Sequence, residues 1–153
     1  MESRVADSRG FSAIEMVVTV AGMLTLAAIA VPVMREQLAV FELHGAARQV
    51  AADLSKARMR AVAENRRYRI AYSGGQYQLE RDVDGTYEAQ GAAGVLPTGV
   101  SLSIDPDPDV TFRPSGWVDT DAPISITMAN GYGGTRAVTV TFGGQVSVAD
   151  GGE

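Results

Sequence analysis

Three patterns of hydrophobic and polar positions follow one another along the 153-residue chain. Residues 16–34 carry no charged side chain, residues 35–67 repeat apolar positions every three or four residues, and the remainder alternates apolar and polar positions. These patterns predict a membrane-spanning helix, an amphipathic helix and β-strands, respectively. The predicted class is α+β: a long N-terminal helix, transmembrane in its first half and amphipathic in its second, packed on a small antiparallel β head.

The uncharged run is 19 residues long, and at about 1.5 Å per residue it nearly crosses a hydrocarbon layer of about 30 Å. Extending the helix over residues 11–34 makes it long enough, but includes Glu15. A cleaved secretory signal with its small residues at Ala28 and Ala30 is one interpretation, although a glutamate early in the apolar core argues against it. A plain signal anchor is a second interpretation, and a third depends on the residues before Glu15.

The amphipathic segment, residues 35–67, presents one apolar stripe. The stripe consists of Val40, Leu43, Ala47, Val50, Leu54, Ala57 and Ala61. The remaining face is basic and carries Arg48, Lys56, Arg58, Arg60, Arg66 and Arg67. Aromatic residues that could stack on bases are missing from this face apart from Tyr68 at its end. We therefore expect a solvated face, or one that meets the acidic head of an adjacent subunit, rather than a nucleic-acid site.

Alternation predicts a β head over residues 68–149, with six to eight strands and a frayed tail at 150–153. Two alternating runs flank Gly74-Gly75 and predict a hairpin. Further strands are predicted at 100–104, 110–118 and 124–128, and a closing hairpin turns at Gly143-Gly144. The segment 82–94 predicts a loop with a turn at Asp84-Gly85.

Composition excludes several kinds of chemistry. The chain has no cysteine and one histidine, His44, so Cys-His or Ser-His-Asp catalysis and a metal site of several His or Cys ligands are not expected. We expect His44 to lie at the surface and the protein not to be an enzyme. Residues 11–69 hold eight basic and five acidic residues, whereas residues 70–153 hold three basic and eleven acidic ones. The acidic half would repel a polyanion, so a nucleic-acid partner is not expected.

Two aspartate-rich stretches are candidate calcium sites. One contains Asp105, Asp107 and Asp109, but an EF-hand loop starting at Asp105 would need glycine at position 110 and glutamate at 116, where valine and glycine stand. The other, Asp82 to Gly85, is likewise a weak candidate, and a polar turn is its alternative. We expect no cofactor, with calcium as the alternative.

The stretch GFSAIE, Gly10 to Glu15, followed by an apolar helix that contains Pro32, resembles the processing site of type IV prepilins and pseudopilins. The resemblance implies that a prepilin peptidase removes the leader, residues 1–10, by cleaving after Gly10, and that Phe11 is then N-methylated. It also implies that Glu15 serves assembly. A charge within a membrane span costs several kcal/mol unless it is partnered, and the α-amine of a neighbouring subunit would be that partner.

The head has a resemblance of its own, to GspH/FimT-type minor pseudopilins. It is carried by an F-x-P-x-G element, Phe112, Pro114 and Gly116, and by the final hairpin, where Gly144-Gln145 stands in place of the family's Gly-Arg. The resemblance implies a single-pass inner-membrane protein with a periplasmic head that assembles into or primes a type II secretion pseudopilus. The implied partners are other pilin or pseudopilin subunits, the prepilin peptidase, the inner-membrane assembly platform and, before assembly, membrane lipid.

Two alternatives stay open at this point. One is a FimT-like minor pilin of a type IV pilus, acting in assembly or DNA uptake. Against DNA uptake, the region of the closing hairpin offers only Arg136 as a cation, beside Asp150 and Glu153. The other alternative is a signal-anchored periplasmic binding domain that does not polymerise.

Overall fold

The computed structural model describes residues 12–106 and 109–150, and it confirms the α+β class. The chain divides into two compact units, with the boundary between Gln37 and Leu38. The described residues form one helix and nine strand segments: α1 (Ala13–Glu64), β1 (Tyr68–Ser73), β2 (Gln76–Val83), β3 (Thr86–Ala89), β4 (Gly94–Val95), β5 (Val100–Asp105), β6 (Asp109–Phe112), β7 (Ile124–Asn130), β8 (Thr135–Val140) and β9 (Val146–Asp150).

The first unit contains the apolar half of α1. An 18-residue window of this helix has a mean hydropathy of 2.3 and is 0% buried, so the helix is long and apolar enough to cross a membrane. The hydroxyls of Thr19 and Thr25 donate to the carbonyl oxygens of Glu15 and Ala21, at 2.7 and 2.9 Å. Both threonines thus satisfy their hydroxyls within the helix, and the Glu15 carboxylate is the one charged side chain between residues 13 and 34.

The second half of α1 supplies one wall of the core. Its buried residues are Leu43, Ala46, Ala47, Val50, Leu54, Ala57 and Ala61. This is the predicted stripe with Ala46 added and Val40 only half-buried. The helix ends at Glu64 rather than near Arg67 because Asn65 takes a left-handed conformation, with φ of 51°. The Arg66 N–H then donates to the carbonyl of Ala61 at 3.2 Å, which closes the helix end.

The strands form two antiparallel sheets. The first has the order β3-β2-β1-β6, with β4 also paired to β2, and the second has the order β5-β7-β8-β9. The β1–β2 hairpin has the predicted bounds, and Tyr68 lies opposite Arg81. The closing hairpin, β8 and β9, is also present.

The prediction of a loop over residues 82–94 is wrong, because β2 extends to Val83, β3 lies within the range and β4 begins at its last residue. Asp84 and Gly85 both have positive φ, 53° and 88°, which suits a tight hairpin turn between β2 and β3. The Asp82 carboxylate accepts the Gly85 N–H at 2.8 Å and fixes this turn. Residues 86–89 then pair with residues 80–83, although a four-residue run is too short for its alternation to stand out in the sequence.

The core of the second unit lies among the helix stripe and the inward side chains of both sheets. Its most completely buried large side chains are Leu43, Leu54, Tyr68, Val110, Phe112, Ile124, Ile126, Met128, Val138 and Val140. Burying one such side chain contributes about 1.5–3 kcal/mol. The helix is therefore an integral part of the head.

One buried hydroxyl ties the first sheet to α1. The Tyr77 hydroxyl donates to Asp53 Oδ2 at 2.8 Å, and Gln49 Nε2 donates to the same oxygen at 3.0 Å. Burial of the phenol, together with the hydrogen bond to the Asp53 carboxylate, raises the pKa of Tyr77 well above its usual value. Burial and the Glu64 carboxylate also raise the pKa of Tyr68.

We predict that Tyr77→Phe makes the free energy of unfolding less dependent on alkaline pH. A phenol whose folded-state pKa is raised contributes stability that is fully present below the unfolded pKa, about 10, and is lost as pH rises towards the folded value. Wild type should therefore lose stability above about pH 10, and Tyr77→Phe should lose less because only Tyr68 still contributes. At pH 8 the variant should be about 1–2 kcal/mol less stable through the lost hydrogen bond.

Urea unfolding of the chain in detergent micelles at pH 8 and pH 11 measures both effects. Tyr132→Phe, at an exposed ring, is the matched control and should leave the pH dependence unchanged. Equal alkaline losses for wild type and Tyr77→Phe would contradict the role given to Tyr77.

Candidate functional site: the charged end of the helix and the glycine junction of the head

The predicted assembly residue Glu15 lies in the first turn of α1 and is exposed, as are its apolar neighbours Ile14 and Met16. A carboxylate in the first turn of a helix is favoured by the helix dipole. The predicted processing residues, Gly10 and Phe11, lie outside the described residues. Pro32 lies within α1, where its missing N–H leaves the carbonyl of Ala28 without the usual helical donor.

In the head, the F-x-P-x-G element forms a tight reversal at the end of β6. Phe112 is fully buried, lies opposite Tyr68 on β1, and forms an isolated bridge with Val118. The Gly116 N–H donates to the carbonyl of Arg113 at 2.8 Å, which closes a turn with Pro114 at its second position. Proline favours that position because its ring already fixes the required φ. The element thus anchors in the core at Phe112 and turns back at Pro114.

Gly116 is required by its conformation and by its neighbours. Its φ is 80°, which non-glycine residues adopt only with strain. A Cβ added there would lie 3.1 Å from Val62 Cγ2 and 3.4 Å from Arg58 Nε, both on α1. The turn therefore packs its backbone directly against the helix.

The turn of the closing hairpin meets the same place. Gly144 has φ of 77° and donates its N–H to the carbonyl of Thr141 at 2.8 Å. A Cβ added at Gly144 would overlap the carbonyl oxygen of Gly116 and lie 2.8 Å from Arg58 Nε. Arg58 Nε donates to that same carbonyl oxygen at 3.1 Å. We call the meeting point of Gly116, Gly144 and Arg58 the glycine junction.

The sequence predicted both glycines of the junction but not Arg58. Arg58 was assigned to the basic face of the helix because charge alone does not show which cation caps a backbone carbonyl. The spacing of Arg58 and Val62, one helical turn apart, offers the one available signal. Gln145 follows Gly144 and lines the groove beside the junction.

Near the junction the head exposes two aromatic rings. Trp117 and Phe142 pack edge to face, with centroids 4.8 Å apart and an angle of 86° between the rings. Each remains 50% exposed. The Val118 N–H donates to the carbonyl of Phe142 at 2.9 Å, so the pair is held by the two backbones that form the junction.

The aspartates considered for calcium have other roles where the structure describes them. Asp109 Oδ2 lies 3.0 Å from Arg69 Nη1, and Arg69 also donates from Nε to Glu80 at 2.6 Å while its guanidinium stands 4.0 Å from the ring centre of Tyr87. Asp82 fixes the β2–β3 turn, and Asp107 lies outside the described residues. Within residues 12–106 and 109–150, no group of three or more acidic, histidine or cysteine side chains could hold a metal ion.

The expectation that His44 lies at the surface needs correction. His44 is half-buried, and its Nε2 lies 2.5 Å from Nη2 of Arg136 on β8. The contact joins α1 to the second sheet. It also occupies the cation that was considered for DNA binding.

Comparison with known proteins shows which family has this architecture. The model of the family described as "Type II transport protein GspH" matches residues 46–144, which is more than half of the chain and includes the F-x-P-x-G element and the glycine junction. The chain belongs to the GspH family. It is a minor pseudopilin or minor pilin, and pilins and pseudopilins are structural subunits rather than enzymes. Family membership indicates association with other pilin-like subunits, and the apolar half of α1 is compatible with single-pass membrane anchoring.

Two solved structures have the same fold. The type IV minor pilin FimU of Pseudomonas aeruginosa is similar with a TM-score of 0.62 and 20% sequence identity, over 71% of this chain and 88% of that one. The minor pseudopilin EpsH of the Type 2 Secretion System of Vibrio cholerae is similar with a TM-score of 0.62 and 15% identity, over 73% of this chain and 99% of that one. Comparison with curated protein sequences gave no match.

The glycine junction yields a prediction with an adjacent matched control. Gly144→Ala should destabilise the head by about 3 kcal/mol, because the new Cβ overlaps a backbone oxygen and the residue must hold a positive φ. At Gly143 an added Cβ meets only Thr141 Oγ1, at 3.9 Å, so Gly143→Ala should change stability little. Urea unfolding followed by tryptophan fluorescence measures both variants. Equal stabilities of the two variants would contradict the close packing at Gly144.

Proposed function

We propose that this chain is a minor pseudopilin of a type II secretion pseudopilus. The observation that carries the proposal is a GspH-family head built around a helix whose first half is apolar, exposed and interrupted by a single carboxylate. In this proposal α1 anchors the subunit in the inner membrane with the head in the periplasm. The inner-membrane assembly platform then transfers the subunit into a filament.

Processing prepares the helix for that transfer. The prepilin peptidase cleaves between Gly10 and Phe11, and the new N-terminus of Phe11 is methylated. Cleavage creates an α-amine close to one helical turn before Glu15, since about 3.6 residues make a turn. Two opposite charges thus stand near the start of the same apolar helix.

The two charges give assembly its register. The carboxylate of Glu15 in an apolar environment costs several kcal/mol until a cation partners it. The α-amine of a neighbouring subunit is that cation, and one subunit's Glu15 meets it only when the two helices are correctly staggered. Buried ion pairs add little net stability, but one that must form fixes the register of its helices. Pro32 assists by leaving the carbonyl of Ala28 free, which loosens the helix where subunits must adjust to one another.

We predict that Glu15→Leu is cleaved normally but is not incorporated into filaments. The substitution removes the charge that needs a partner. The helix then has no unpartnered charge in lipid, and it no longer selects a neighbour with the correct stagger. Immunoblots of membrane and sheared-filament fractions measure cleavage and incorporation separately.

Thr19→Val is the matched control for Glu15→Leu. It also removes a polar group near the start of the helix, but one already satisfied within the helix by the carbonyl of Glu15. This variant should assemble as wild type does. Recovery of Glu15→Leu in filaments at normal levels would overturn the pairing argument, and so would equal loss of both variants.

A role in a type IV pilus is the second candidate, because the fold is also that of the minor pilin FimU. In this role the subunit would prime pilus assembly. DNA capture by this chain is disfavoured, since Arg136 contacts His44 and residues 70–153 hold eleven acidic residues against three basic ones.

Culture supernatants distinguish the two systems. A strain lacking this gene should lose particular exported enzymes from the supernatant, and the intact gene should restore them. An unchanged supernatant together with fewer surface pili would contradict the secretion role and assign the chain to a pilus.

A further inference from the structure

The last strand of the second sheet leaves one edge open. Within residues 12–106 and 109–150, β8 is the only strand that pairs with β9. Residues 146–149 read Val-Ser-Val-Ala, with neither a charge nor a proline, and the one charged residue of the strand, Asp150, stands at its end. Exposed sheet edges usually carry charged residues or prolines as protection, because the free N–H and C=O groups of an edge can pair with another chain. The edge of β9 is therefore suited to accept a further strand.

The alternation of hydrogen-bonded pairs along the β8–β9 ladder shows which backbone groups of β9 face outward. The Thr141 N–H donates to the carbonyl of Gln145 at 3.0 Å, and hydrogen-bonded pairs alternate along an antiparallel ladder. Ser147 and Ala149 therefore direct their backbone groups to β8, whereas Val146 and Val148 direct theirs away from it. The Val148 side chain lies opposite the fully buried Val138 but stays 43% exposed. Among the described residues, the outward backbone groups of Val146 and Val148 thus have no strand partner, and the Val148 side chain is only partly covered.

An apolar groove lies beside the start of this edge. Its volume is about 510 Å3, and it separates Met59, Val62 and Ala63 of α1 from Gly144, Gln145 and Val146 of the closing hairpin. Met59 is 64% exposed and Val62 53% exposed. A strand added to β9 would place alternate side chains over these residues.

The charges near the groove indicate the chemistry of that strand. Arg58 lines the groove, and none of the described residues that line it is acidic. Arg48 is exposed on the same face of α1, spaced by fours and threes from Ala52, Ser55 and Met59, and it forms no ion pair within the described part of the chain. The two arginines are ten residues apart, which is about 15 Å along the helix. An extended segment covers that distance in about five residues.

We propose that the open edge of β9 and this groove bind an extended segment of a neighbouring pilin-like subunit by strand addition. The segment is about five residues long, apolar at its central groove-facing position and acidic at both ends. The inference rests on the proposed function, because it names the surface through which the head meets another subunit. Backbone hydrogen bonds to Val146 and Val148 supply affinity, while Arg48 and Arg58 select the acidic ends.

The test uses the full chain in detergent micelles and a fluorescent peptide, Gly-Glu-Thr-Ile-Thr-Glu-Gly. Fluorescence polarisation should show saturable binding. The same peptide with N-methyl groups on all five residues between its two glycines offers no N–H group to the edge in either strand direction, and should bind at least tenfold more weakly. Val148→Pro removes an outward N–H that the sheet itself does not use, and should weaken binding as much. Val148→Thr keeps that N–H and is its control.

Charge reversal supplies a second, independent test. Arg48→Glu should weaken the binding of the acidic peptide at least fivefold. The same variant should bind a peptide in which lysines replace the glutamates. Lys56→Glu, on the side of α1 that faces Tyr77, is the matched control and should change neither affinity. Because Arg48 is exposed, this test does not depend on whether the proline variant folds.

Three results would overturn the proposal: no saturable binding, equal binding of the N-methylated peptide, or no effect of Arg48→Glu. Self-association of wild type that Val148→Pro abolishes would also overturn it, since the occupant would then be a second copy of this chain. These results are separate from the proposed function. If the peptide does not bind while loss of the gene still stops export, the surface is wrong and the secretion role stands.

Discussion

The carboxylate of Glu15 is the constraint on which the rest of the chain depends. It stands at the start of a helix that has no other charged residue up to position 34. An isolated charge in hydrocarbon is unfavourable by several kcal/mol, so a single subunit anchored in a membrane by this helix would hold an unsatisfied charged group. The apolar half of α1 brings no ionic partner of its own. The chain is consistent with a subunit that is completed only by another subunit.

The head must hold the second half of α1 firmly if contacts made by that helix are to fix where the head lies beside a neighbouring subunit. Small residues on the stripe, such as Ala57 and Ala61, are fully buried and allow close packing against the helix. The glycine junction then fixes two turns from distant parts of the sequence against Arg58 on that same helix. The contact of His44 with Arg136 and the hydrogen bond of Tyr77 to Asp53 attach each sheet to the helix. The head is thus built around the helix rather than beside it.

Periodic features of the fold could be predicted from the sequence, and non-periodic ones could not. The stripe from Leu43 to Ala61 and the hairpin at Gly74-Gly75 follow from spacing and turn chemistry, and both are present. The strand β3 was missed because four residues give too little alternation. Arg58 is exposed, as its place on the basic face predicts, but a sequence does not show its contact with a carbonyl 58 positions away. Nor does it show the contact of His44 with an arginine 92 positions away. Contacts between distant segments decide these two roles, and the open edge of β9 is likewise visible only once the sheet order is known.

The most direct test of the pairing of Glu15 is a zero-length cross-link in assembled filaments. Dicyclohexylcarbodiimide enters apolar regions and joins a carboxylate to an amine only where the two are in contact. Mass spectrometry of the treated filaments should identify Glu15 linked to the N-terminal amine of another subunit. The account would be contradicted if assembled filaments contained this chain while Glu15 was linked only to its own Phe11 or to no amine at all.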